Sequence, residues 1–407
     1  METIKRRLTV SQQEALAKMP ELEDSAFPHV RETLAAELYT DPGRFEEEKT
    51  GVYRTAPVIA APSALIAEPR SYCQQDIVGM PVLLTRNKEG EVKAFANVCR
   101  HRGAKLCASP DAVHGARVVC PYHAWTYTLD GDLIGIPRQE TFPGLDKKSL
   151  GLTELPCVEA GGLIWVGLDP KSSPDFSVIR GEVGSDLDAV GLGGMRIYDK
   201  TTFHVKANWK LVMDTMLDSY HVTRLHKDSL ARFFVDAENV IDCMGPHVRA
   251  AAARGNFAKN LVTDDFEDVR KIMVFAYTLF PNGIVVVSPD FVSVGILRPI
   301  ATDRTDVDYY MLTDAPIEDE KMNGKLRRSF DLMKVAFGQE DYWAAELCDQ
   351  GLRSGTLQEV QLGGMEVQIS LFHNAVKQCI QNAKSKDNSG KKCIRSVTTS
   401  EDRRYGL

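Results

Sequence analysis

One stretch of the chain, Val98–Tyr127, carries two short Cys/His pairs. The first pair is Cys99-x-His101, and the second, Cys120-x-x-His123, follows after eighteen intervening residues. In this pattern each pair lies on its own tight loop and supplies one thiolate and one imidazole. The set suits a [2Fe–2S] cluster in which one iron takes the two sulfurs and the other takes the two nitrogens. No other feature of the sequence restricts the fold and the chemistry as strongly.

A structural zinc site is the alternative interpretation, because two cysteines and two histidines are also a common zinc set. Zinc-finger spacing, however, pairs Cys with Cys and then His with His, whereas each loop here carries one of each. The flanking residues, HRG at 101–103 and CPYHAW at 120–125, resemble the two cluster-binding loops of the Rieske proteins. This resemblance implies a Rieske cluster held by the two Cys/His pairs, with Arg102 and Trp125 beside it.

A Rieske cluster occurs in electron-transfer complexes and in oxygenases, and the loops distinguish the two. The respiratory-complex type has a further Cys in each loop, and these two form a disulfide across the cluster. By the resemblance these positions are Ala104 and Tyr122 here, so that disulfide cannot form. Cys107 is nearby, but the second loop has no matching Cys. The loops look like those of the bacterial Rieske non-haem iron oxygenases, which implies a second metal site further along the chain.

The composition excludes several other classes of protein. A length of 407 residues allows two or three domains, and 43% hydrophobic and 26% charged residues are typical of a globular protein. A net charge of −7 gives no reason to expect nucleic acid or an anionic membrane as a partner. The first residues lack the apolar segment of a secretory signal, and no apolar run is long enough to span a bilayer. Of the nine cysteines, the seven outside the motif are scattered without paired spacing, so we expect reduced thiols and a cytoplasmic location.

The first two segments differ in their hydrophobic pattern. Residues 1–51 have apolar positions at roughly helical spacing, at Gln12–Met19 and Val30–Tyr39, and predict one or two helices that pack on the outside of a larger body. Residues 52–170 contain short runs typical of strands and predict an antiparallel β domain that carries the cluster on two loops. These runs include Pro57–Ala60, Val82–Thr85, Val92–Phe95, Val118–Val119 and Leu163–Val166.

Residues 171–383 predict a second, larger domain in which an antiparallel sheet flanked by helices covers a pocket. The predicted strands are Thr202–Lys206, Ile272–Phe280, Gly283–Val287, Phe291–Leu297 and Val307–Thr313, and the predicted helices are a long one from Trp209, Ile317–Phe337 and Asp341–Leu352. Residues 384–407 are polar and mildly basic, and we interpret them as a tail without an assigned function.

A second set of ligands lies at the start of this larger domain. Asp214, Asp218 and His221 are spaced by four and three residues, so on a continuous helix they would lie along one face. His226 follows five residues later, where this helix would end or loosen. Two imidazoles so close together can bind one metal, and a carboxylate would complete the 2-His-1-carboxylate set of non-haem Fe(II) oxygenases. The alternative is a helix with solvated aspartates and two incidental histidines, and the Rieske motif upstream argues against it.

The third ligand must come from a distant part of the chain, and the favoured candidate is Asp341. Its surroundings, GQEDYW at 338–343 followed by QGL at 350–352, resemble the helix that provides the carboxylate in oxygenase α subunits. Glu340 is the second candidate, although helix geometry would turn it about 100° away from Asp341.

The resemblance also implies roles for the residues around this site. In the family, the aspartate three residues before the first iron histidine accepts hydrogen bonds from that histidine and from a cluster histidine of a neighbouring subunit. Here Asp218 would link His221 to His123 of the partner subunit and offer a short path for an electron. Further residues expected around the site are Asp214 and Tyr220 next to the ligands and Asn208 in the pocket.

Taken over most of the chain, the resemblance to Rieske oxygenase α subunits implies an α+β protein: a Rieske β domain plus a catalytic domain of the helix-grip type. Electrons from NADH would pass through a separate reductase, with or without a ferredoxin, to the [2Fe–2S] cluster and then to a mononuclear Fe(II) that uses O2. No G-x-G-x-x-G motif occurs, so the reductase must be another protein. We expect a homotrimer, while an additional β subunit stays open.

The substrate is left open by the sequence, and we expect hydroxylation of an aromatic compound. The alternative is oxidative N- or O-demethylation of a small molecule such as a methylated ammonium compound. An ammonium substrate would require aromatic residues around the iron, and the candidates are Phe275, Tyr277, Phe280 and Phe291. An alternative of another class is an electron-transfer Rieske protein with a vestigial iron site.

Overall fold

The structure, a computed structural model, describes residues 6–22, 27–314, 317 and 319–387. The N-terminal elements are α1 (Val10–Lys18), β1 (Glu32–Ala35), α2 (Glu37–Thr40) and α3 (Pro42–Glu48). They are followed by β2 (Val58–Pro62), β3 (Ser71–Ile77), β4 (Met80–Arg86), β5 (Val92–Ala96), β6 (Val113–His114), β7 (Arg117–Val119), β8 (Thr126–Thr128), β9 (Leu133–Gly135), β10 (Glu154–Leu155), β11 (Cys157–Ala160) and β12 (Leu163–Val166).

The remaining elements belong to the larger part of the chain. They are α4 (Gly184–Val190), β13 (Arg196–Val205), α5 (Trp209–Leu217), α6 (Val222–Leu225), β14 (Val240–Met244), β15 (His247–Ala253), α7 (Phe266–Ile272), β16 (Met273–Leu279), β17 (Gly283–Val287), β18 (Val292–Ala301), β19 (Arg304–Thr313), α8 (Glu320–Met333), α9 (Tyr342–Arg353), β20 (Glu359–Leu362) and α10 (Val367–Asp387). Three segments are π-helical: Lys49–Tyr53, Ile179–Val183 and Lys334–Asp341.

The smaller β domain consists of three antiparallel sheets. Their strand orders are β10-β5-β4-β3-β6, β11-β12-β2 and β7-β8-β9. The loop between β5 and β6 carries Cys99 and His101, and the loop between β7 and β8 carries Cys120 and His123. A small core that includes Phe95, Trp125 and Tyr127 packs around them. The predicted antiparallel β domain is thus confirmed, and its strands fall within the predicted 52–170 segment.

The larger domain is built on one seven-stranded antiparallel sheet with the order β13-β19-β18-β17-β16-β15-β14. All the strands predicted there are present, but β14 and β15 were not predicted. Four consecutive alanines, at 250–253, lie in β15, and alanine has little intrinsic preference for strands. Pairing with β16 on one side and β14 on the other therefore determines its conformation.

Two predictions for the ends of the chain need correction. Val30–Tyr39 is not one helix, because Glu32–Ala35 form a strand that pairs with β20, a partner far along the chain. At the other end, α10 continues to Asp387, so the expected tail from 384 begins inside a helix. The rest of that segment, 388–407, lies outside the described residues. Among the described helices, none combines the length and the apolar character needed to cross a membrane.

A buried ion pair joins α3 to the start of α5. The Lys210 ammonium lies 2.8 Å from Glu48 Oε1, with side-chain exposures of 1% and 0%. The indole N–H of Trp209 donates to Glu48 Oε2 at 2.8 Å. Burial lowers the pKa of Lys210, and the Glu48 carboxylate opposes this effect. Because neither charge contacts bulk water, Lys210 depends on Glu48 for its counter-charge, while Arg44 Nε also lies 3.5 Å from Glu48 Oε1.

We predict that Glu48→Gln lowers the free energy of unfolding by about 3–5 kcal/mol, because the buried Lys210 ammonium loses its counter-charge. The control is Glu46→Gln, which removes an exposed carboxylate 2.9 Å from Lys49 and is expected to cost about 0–1 kcal/mol. Equilibrium urea unfolding followed by circular dichroism compares the variants. Equal stability of both variants would show that the buried pair contributes no more than the exposed one.

Candidate metal centres

Each Cys/His pair lies on a loop that folds back on itself. In the first loop the Gly103 N–H donates to the Cys99 carbonyl at 2.9 Å, and in the second the Ala124 N–H donates to the Cys120 carbonyl at 3.0 Å. Both donors have a left-handed backbone, with φ of 77° at Gly103 and 55° at Ala124. Glycine adopts this conformation without strain, whereas alanine does so at some cost. The two loops therefore have the same local turn, which presents a Cys and a His from each.

The four side chains bring together the donors that a [2Fe–2S] cluster needs. Cys99 and Cys120 are each 2% exposed, and burial raises the pKa of the Cys99 thiol. The rings of His101 and His123 have centroids 4.7 Å apart, and Nδ1 of each ring is buried without a hydrogen-bond partner. Buried polar atoms normally have partners, so two unpaired nitrogens beside two buried thiols fit the ligand set of such a cluster.

The residues next to this set differ in exposure. Trp125, 2% exposed, stacks on His101 with ring centroids 4.9 Å apart and planes 7° apart. Arg102, in contrast, is exposed and lies over the Tyr122 ring at 5.3 Å. The sequence did not single out Tyr127, whose hydroxyl lies 3.4 Å from Cys99 Sγ. The only sequence signal for Tyr127 is its position at the end of the stretch Val98–Tyr127.

The second candidate centre consists of His221, His226 and Asp341. One ligand atom from each lies within 4.8 Å of the other two. Asp341 Oδ1 is 3.3 Å from His221 Nε2 and 3.1 Å from His226 Nε2, and it has no hydrogen-bond partner. The Asp341 side chain is only 1% exposed. A buried carboxylate with two imidazole nitrogens is a donor set that fits a mononuclear iron.

The chain before the two histidines is not the continuous helix that was predicted. Helix α5 ends at Leu217, and Asp218 has an extended backbone with φ −102° and ψ 127°. Its Oδ1 accepts the Tyr220 N–H at 2.5 Å, which is the side-chain-to-backbone turn that aspartate favours. His221 precedes the short helix α6, and His226 follows it. The spacing therefore paired Asp218 with His221 correctly, although a turn and not a continuous helix joins them, and it was wrong to group Asp214 with them.

Carboxylates hold the outer nitrogens of both histidines. His221 Nδ1 lies 3.1 Å from Asp218 Oδ2, and His226 Nδ1 lies 2.7 Å from Glu340 Oε2. Burial acts to lower the pKa of His221, but the neighbouring carboxylates of Asp218 and Asp341 outweigh this effect and raise the pKa to about 10. The pKa of His226 is also raised, since Asp341 and Glu340 outweigh its burial. The neighbouring carboxylates thus favour the protonated, positively charged forms of His221 and His226.

Three other predicted site residues have different surroundings. Asp214 is buried, and it accepts the Tyr39 hydroxyl at 2.7 Å and lies 3.2 Å from His373 Nε2. Asn208 caps α5, accepting the Lys210 N–H at 3.0 Å. The Tyr220 side chain is 51% exposed and lies against Arg224. The structure does not bring any of these side chains into contact with the three ligands.

The predicted aromatic residues are distributed differently from the expectation. Tyr277 bonds to Gln12 in the N-terminal segment, and Phe280 packs on Phe372. Phe275 packs near Tyr277, and only Phe291 belongs to the aromatic cluster beside α8. The rings on the Asp341 segment are instead Phe337 and Tyr342, which pack with Phe203 and Tyr309. Phe337 and Tyr342 were not predicted, because the aromatic candidates came from the predicted strands and not from the predicted helices.

Two family models match the chain one after the other. The Rieske [2Fe-2S] domain matches residues 56–156, and the ring hydroxylating alpha subunit (catalytic domain) matches residues 192–382. Each therefore includes one of the two candidate centres.

Known relatives match over most or half of the chain. The carnitine monooxygenase oxygenase subunit of Escherichia coli strain K12 is 25% identical over 369 residues, 88% of this chain and 96% of the relative. The glycine betaine monooxygenase oxygenase subunit of Pseudomonas aeruginosa (strain UCBPP-PA14) is 32% identical over 212 residues, 52% of this chain and 48% of the relative. A solved structure of a quaternary ammonium Rieske monooxygenase has a TM-score of 0.75 at 20% identity, covering 91% of this chain and 98% of that chain. The predicted fold class is confirmed.

We predict that Tyr127→Phe lowers the reduction potential of the cluster by on the order of 40 mV, which corresponds to one hydrogen bond of about 1 kcal/mol. The Tyr127 hydroxyl near Cys99 Sγ stabilises the additional negative charge of the reduced state, and removing it disfavours reduction. The control is Tyr122→Phe, because the Tyr122 hydroxyl accepts a hydrogen bond from Arg102 and does not donate to a cysteine sulfur. A redox titration followed by electron paramagnetic resonance measures both, and equal potentials would contradict the role of Tyr127.

Proposed function

The chain belongs to the Rieske non-haem iron oxygenases as an α (terminal oxygenase) subunit, and we propose that its substrate is a small quaternary ammonium compound. As a member of this family it is an oxidoreductase that uses O2, with a Rieske [2Fe–2S] domain and a catalytic domain for mononuclear iron. Its electrons come from a separate reductase. We propose the substrate, the contacts between subunits and the role of each residue.

We propose that Cys99, His101, Cys120 and His123 hold the cluster. We assign the mononuclear iron to three residues, His221, His226 and Asp341. The observation that carries the assignment is the buried Asp341 carboxylate, whose Oδ1 faces two Nε2 atoms within 3.3 Å but makes no hydrogen bond. A divalent cation at this point would compensate the buried charge. Iron held there by these three side chains would supply the activation of O2.

The relatives favour the demethylation alternative over the hydroxylation of an aromatic ring. The two relatives described above are carnitine and glycine betaine monooxygenase oxygenase subunits, and both named substrates are quaternary ammonium compounds. The longer match covers 96% of the relative. Ring hydroxylation remains the second candidate, because the matching catalytic-domain family is named for it. A purely electron-transferring protein would have no use for the Asp341 site.

Aromatic residues next to Asp341 in the chain are the candidates for binding an ammonium substrate. Phe337 precedes Asp341 by four residues and Tyr342 follows it directly, and Tyr342 packs against Phe203 with ring centroids 5.2 Å apart. Ring faces attract a quaternary ammonium group, which cannot donate hydrogen bonds. Hydroxylation of a carbon bonded to the nitrogen would yield a carbinol that breaks down to an aldehyde and a tertiary amine. The second oxygen atom would leave as water, with two electrons supplied by the reductase and two protons by solvent.

We propose that Asp218 connects the two centres across a homotrimer, through His221 on one side and His123 of the partner subunit on the other. Asp218 and His221 retain 17% and 18% side-chain exposure, and the adjacent Tyr220 is exposed, so this loop is accessible to a second copy of the chain. A ferredoxin between reductase and cluster and an additional β subunit stay open. We also propose a cytoplasmic location, in view of the scattered cysteines.

We predict that Asp218→Asn leaves both metals bound but slows electron transfer from the cluster to the iron 10–100-fold, because the carboxylate no longer orients His221. Stopped-flow oxidation of the reduced cluster in the presence of substrate and O2 measures the rate, and iron analysis checks metal content. The control is Asp228→Asn, an exposed carboxylate two residues after His226. An unchanged rate in Asp218→Asn would contradict the bridging role.

The substrate class is tested by a single turnover of the chemically reduced protein under ¹⁸O₂, which needs no reductase. The panel contains carnitine, glycine betaine and choline together with benzoate and naphthalene, and mass spectrometry identifies the products. We expect an aldehyde and a tertiary amine from an ammonium compound. Asp341→Ala is the control that should give no product while retaining the cluster. A ring carrying two labelled oxygens would instead establish aromatic dioxygenation and contradict the proposal.

A further inference from the structure

Two consecutive acidic residues contact opposite edges of one imidazole. Asp341 Oδ1 lies 3.1 Å from Nε2 of His226, and Glu340 Oε2 lies 2.7 Å from Nδ1 of the same ring. On a regular helix adjacent side chains diverge by about 100°, which makes such a pair of contacts difficult. Here both residues lie at the end of the π-helical segment Lys334–Asp341. The π-helical irregularity thus lies where the carboxylates of Glu340 and Asp341 contact the His226 ring.

The Glu340 carboxylate is itself fixed by a second contact. The Ser229 hydroxyl donates to the same Oε2 atom at 2.5 Å. Ser229 is 5% exposed, and its N–H donates to the His226 carbonyl at 3.0 Å. The side-chain exposures of His226 and Glu340 are 3% and 17%. The contact between Glu340 and His226 is therefore shielded from most solvent, and both side chains have few alternative positions.

From this juxtaposition we infer that Glu340 is a positioning residue for the iron ligand His226. A neutral imidazole carries its proton on only one of its two nitrogens. If that nitrogen donates a hydrogen bond, the other nitrogen keeps a free lone pair and can bind a metal. With the Nδ1–H donated to Glu340, the lone pair of Nε2 faces Asp341. The negative charge of Glu340 also increases the basicity of the ring, which strengthens a metal–nitrogen bond. This inference rests on the proposed iron site.

The geometry distinguishes this role from that of a third ligand. As a ligand, Glu340 would have to lie near the Nε2 atoms, where the Asp341 oxygen lies, yet its Oε2 is on the Nδ1 side of His226. His221 has an analogous partner in Asp218, which lies in a loop with 17% exposure. Glu340 differs because it shares a helical segment with Asp341. Any movement of this segment would displace the third ligand and the support of His226 together.

The test is metal affinity rather than turnover. Wild-type protein and variants are stripped of mononuclear metal while the cluster is retained, and Co(II) is titrated in competition with a chelator. With the cluster in its diamagnetic oxidised state, electron paramagnetic resonance of high-spin Co(II) reports its coordination, and the cluster absorption and circular dichroism report folding. The variants are Glu340→Ala, Glu340→Gln and Ser229→Ala. The control is Glu346→Gln on α9, whose Oε1 accepts a backbone N–H from Lys206 and contacts no histidine.

We expect Glu340→Ala to weaken Co(II) binding 10–100-fold and to change its spectrum, with an intact cluster. Glu340→Gln should weaken binding by a smaller factor, since its amide oxygen still accepts the Nδ1–H, and Glu346→Gln should match wild type. Wild-type affinity and spectrum in both Glu340 variants would overturn the inference. Co(II) uptake by Asp341→Asn together with its loss in Glu340→Gln would also overturn it, by making Glu340 the ligand.

The proposed function fails by a different result. If the wild-type chain takes up no metal beyond the cluster, both the iron site and the role of Glu340 are wrong. If it binds Co(II) and the Glu340 variants behave as wild type, only the role of Glu340 is wrong.

Discussion

The buried carboxylate of Asp341 is the constraint on which the larger domain depends. A nearly solvent-free carboxylate oxygen without a hydrogen bond is strongly unfavourable unless a positive charge lies beside it. The surroundings meet this requirement by placing two imidazole nitrogens within 3.3 Å and by backing both rings with further carboxylates. In the absence of metal, these carboxylates favour protonated histidines. A divalent cation bound by His221, His226 and Asp341 would replace these protons, and the outer carboxylates would then orient the neutral imidazoles by accepting their Nδ1–H groups.

This convergence requires irregular backbone on a regular scaffold. On one continuous helix, His221 and His226 would point about 140° apart, because five residues advance 500° around the axis. The turn at Asp218 and the short helix α6 instead bring their rings to 5.1 Å. On the other side, a π-helical segment leads to Asp341 before α9 begins. Sites held on rigid elements keep their geometry best, and here the irregular segments are each anchored to a packed helix.

Polar contacts beneath α5 support that scaffold. Asp214 bonds to Tyr39 and His373, which connects α5 to the N-terminal segment and to α10. The Glu48–Lys210 pair fixes the first turn of the same helix. Such buried polar groups are costly unless every partner is present, so they select one arrangement of the helices over others. Asp214, which the spacing placed near the iron, thus contributes by holding the helix that precedes the ligands.

The sequence by itself determined the residue types of the candidate ligands, their local spacing, most strands and the class of enzyme. These features depend on the chemistry of Cys, His and carboxylates and on short periodic patterns. Both can be recognised in the sequence before the fold is known. Of the partners that are distant in the chain, Asp341 was expected only from the resemblance to oxygenase α subunits, and tertiary structure decided the others. Glu340 and His226 are 114 residues apart, and the strand Glu32–Ala35 pairs with residues 359–362. No local pattern encodes such pairs, because the geometry that joins them exists only after the sheet and helices have packed.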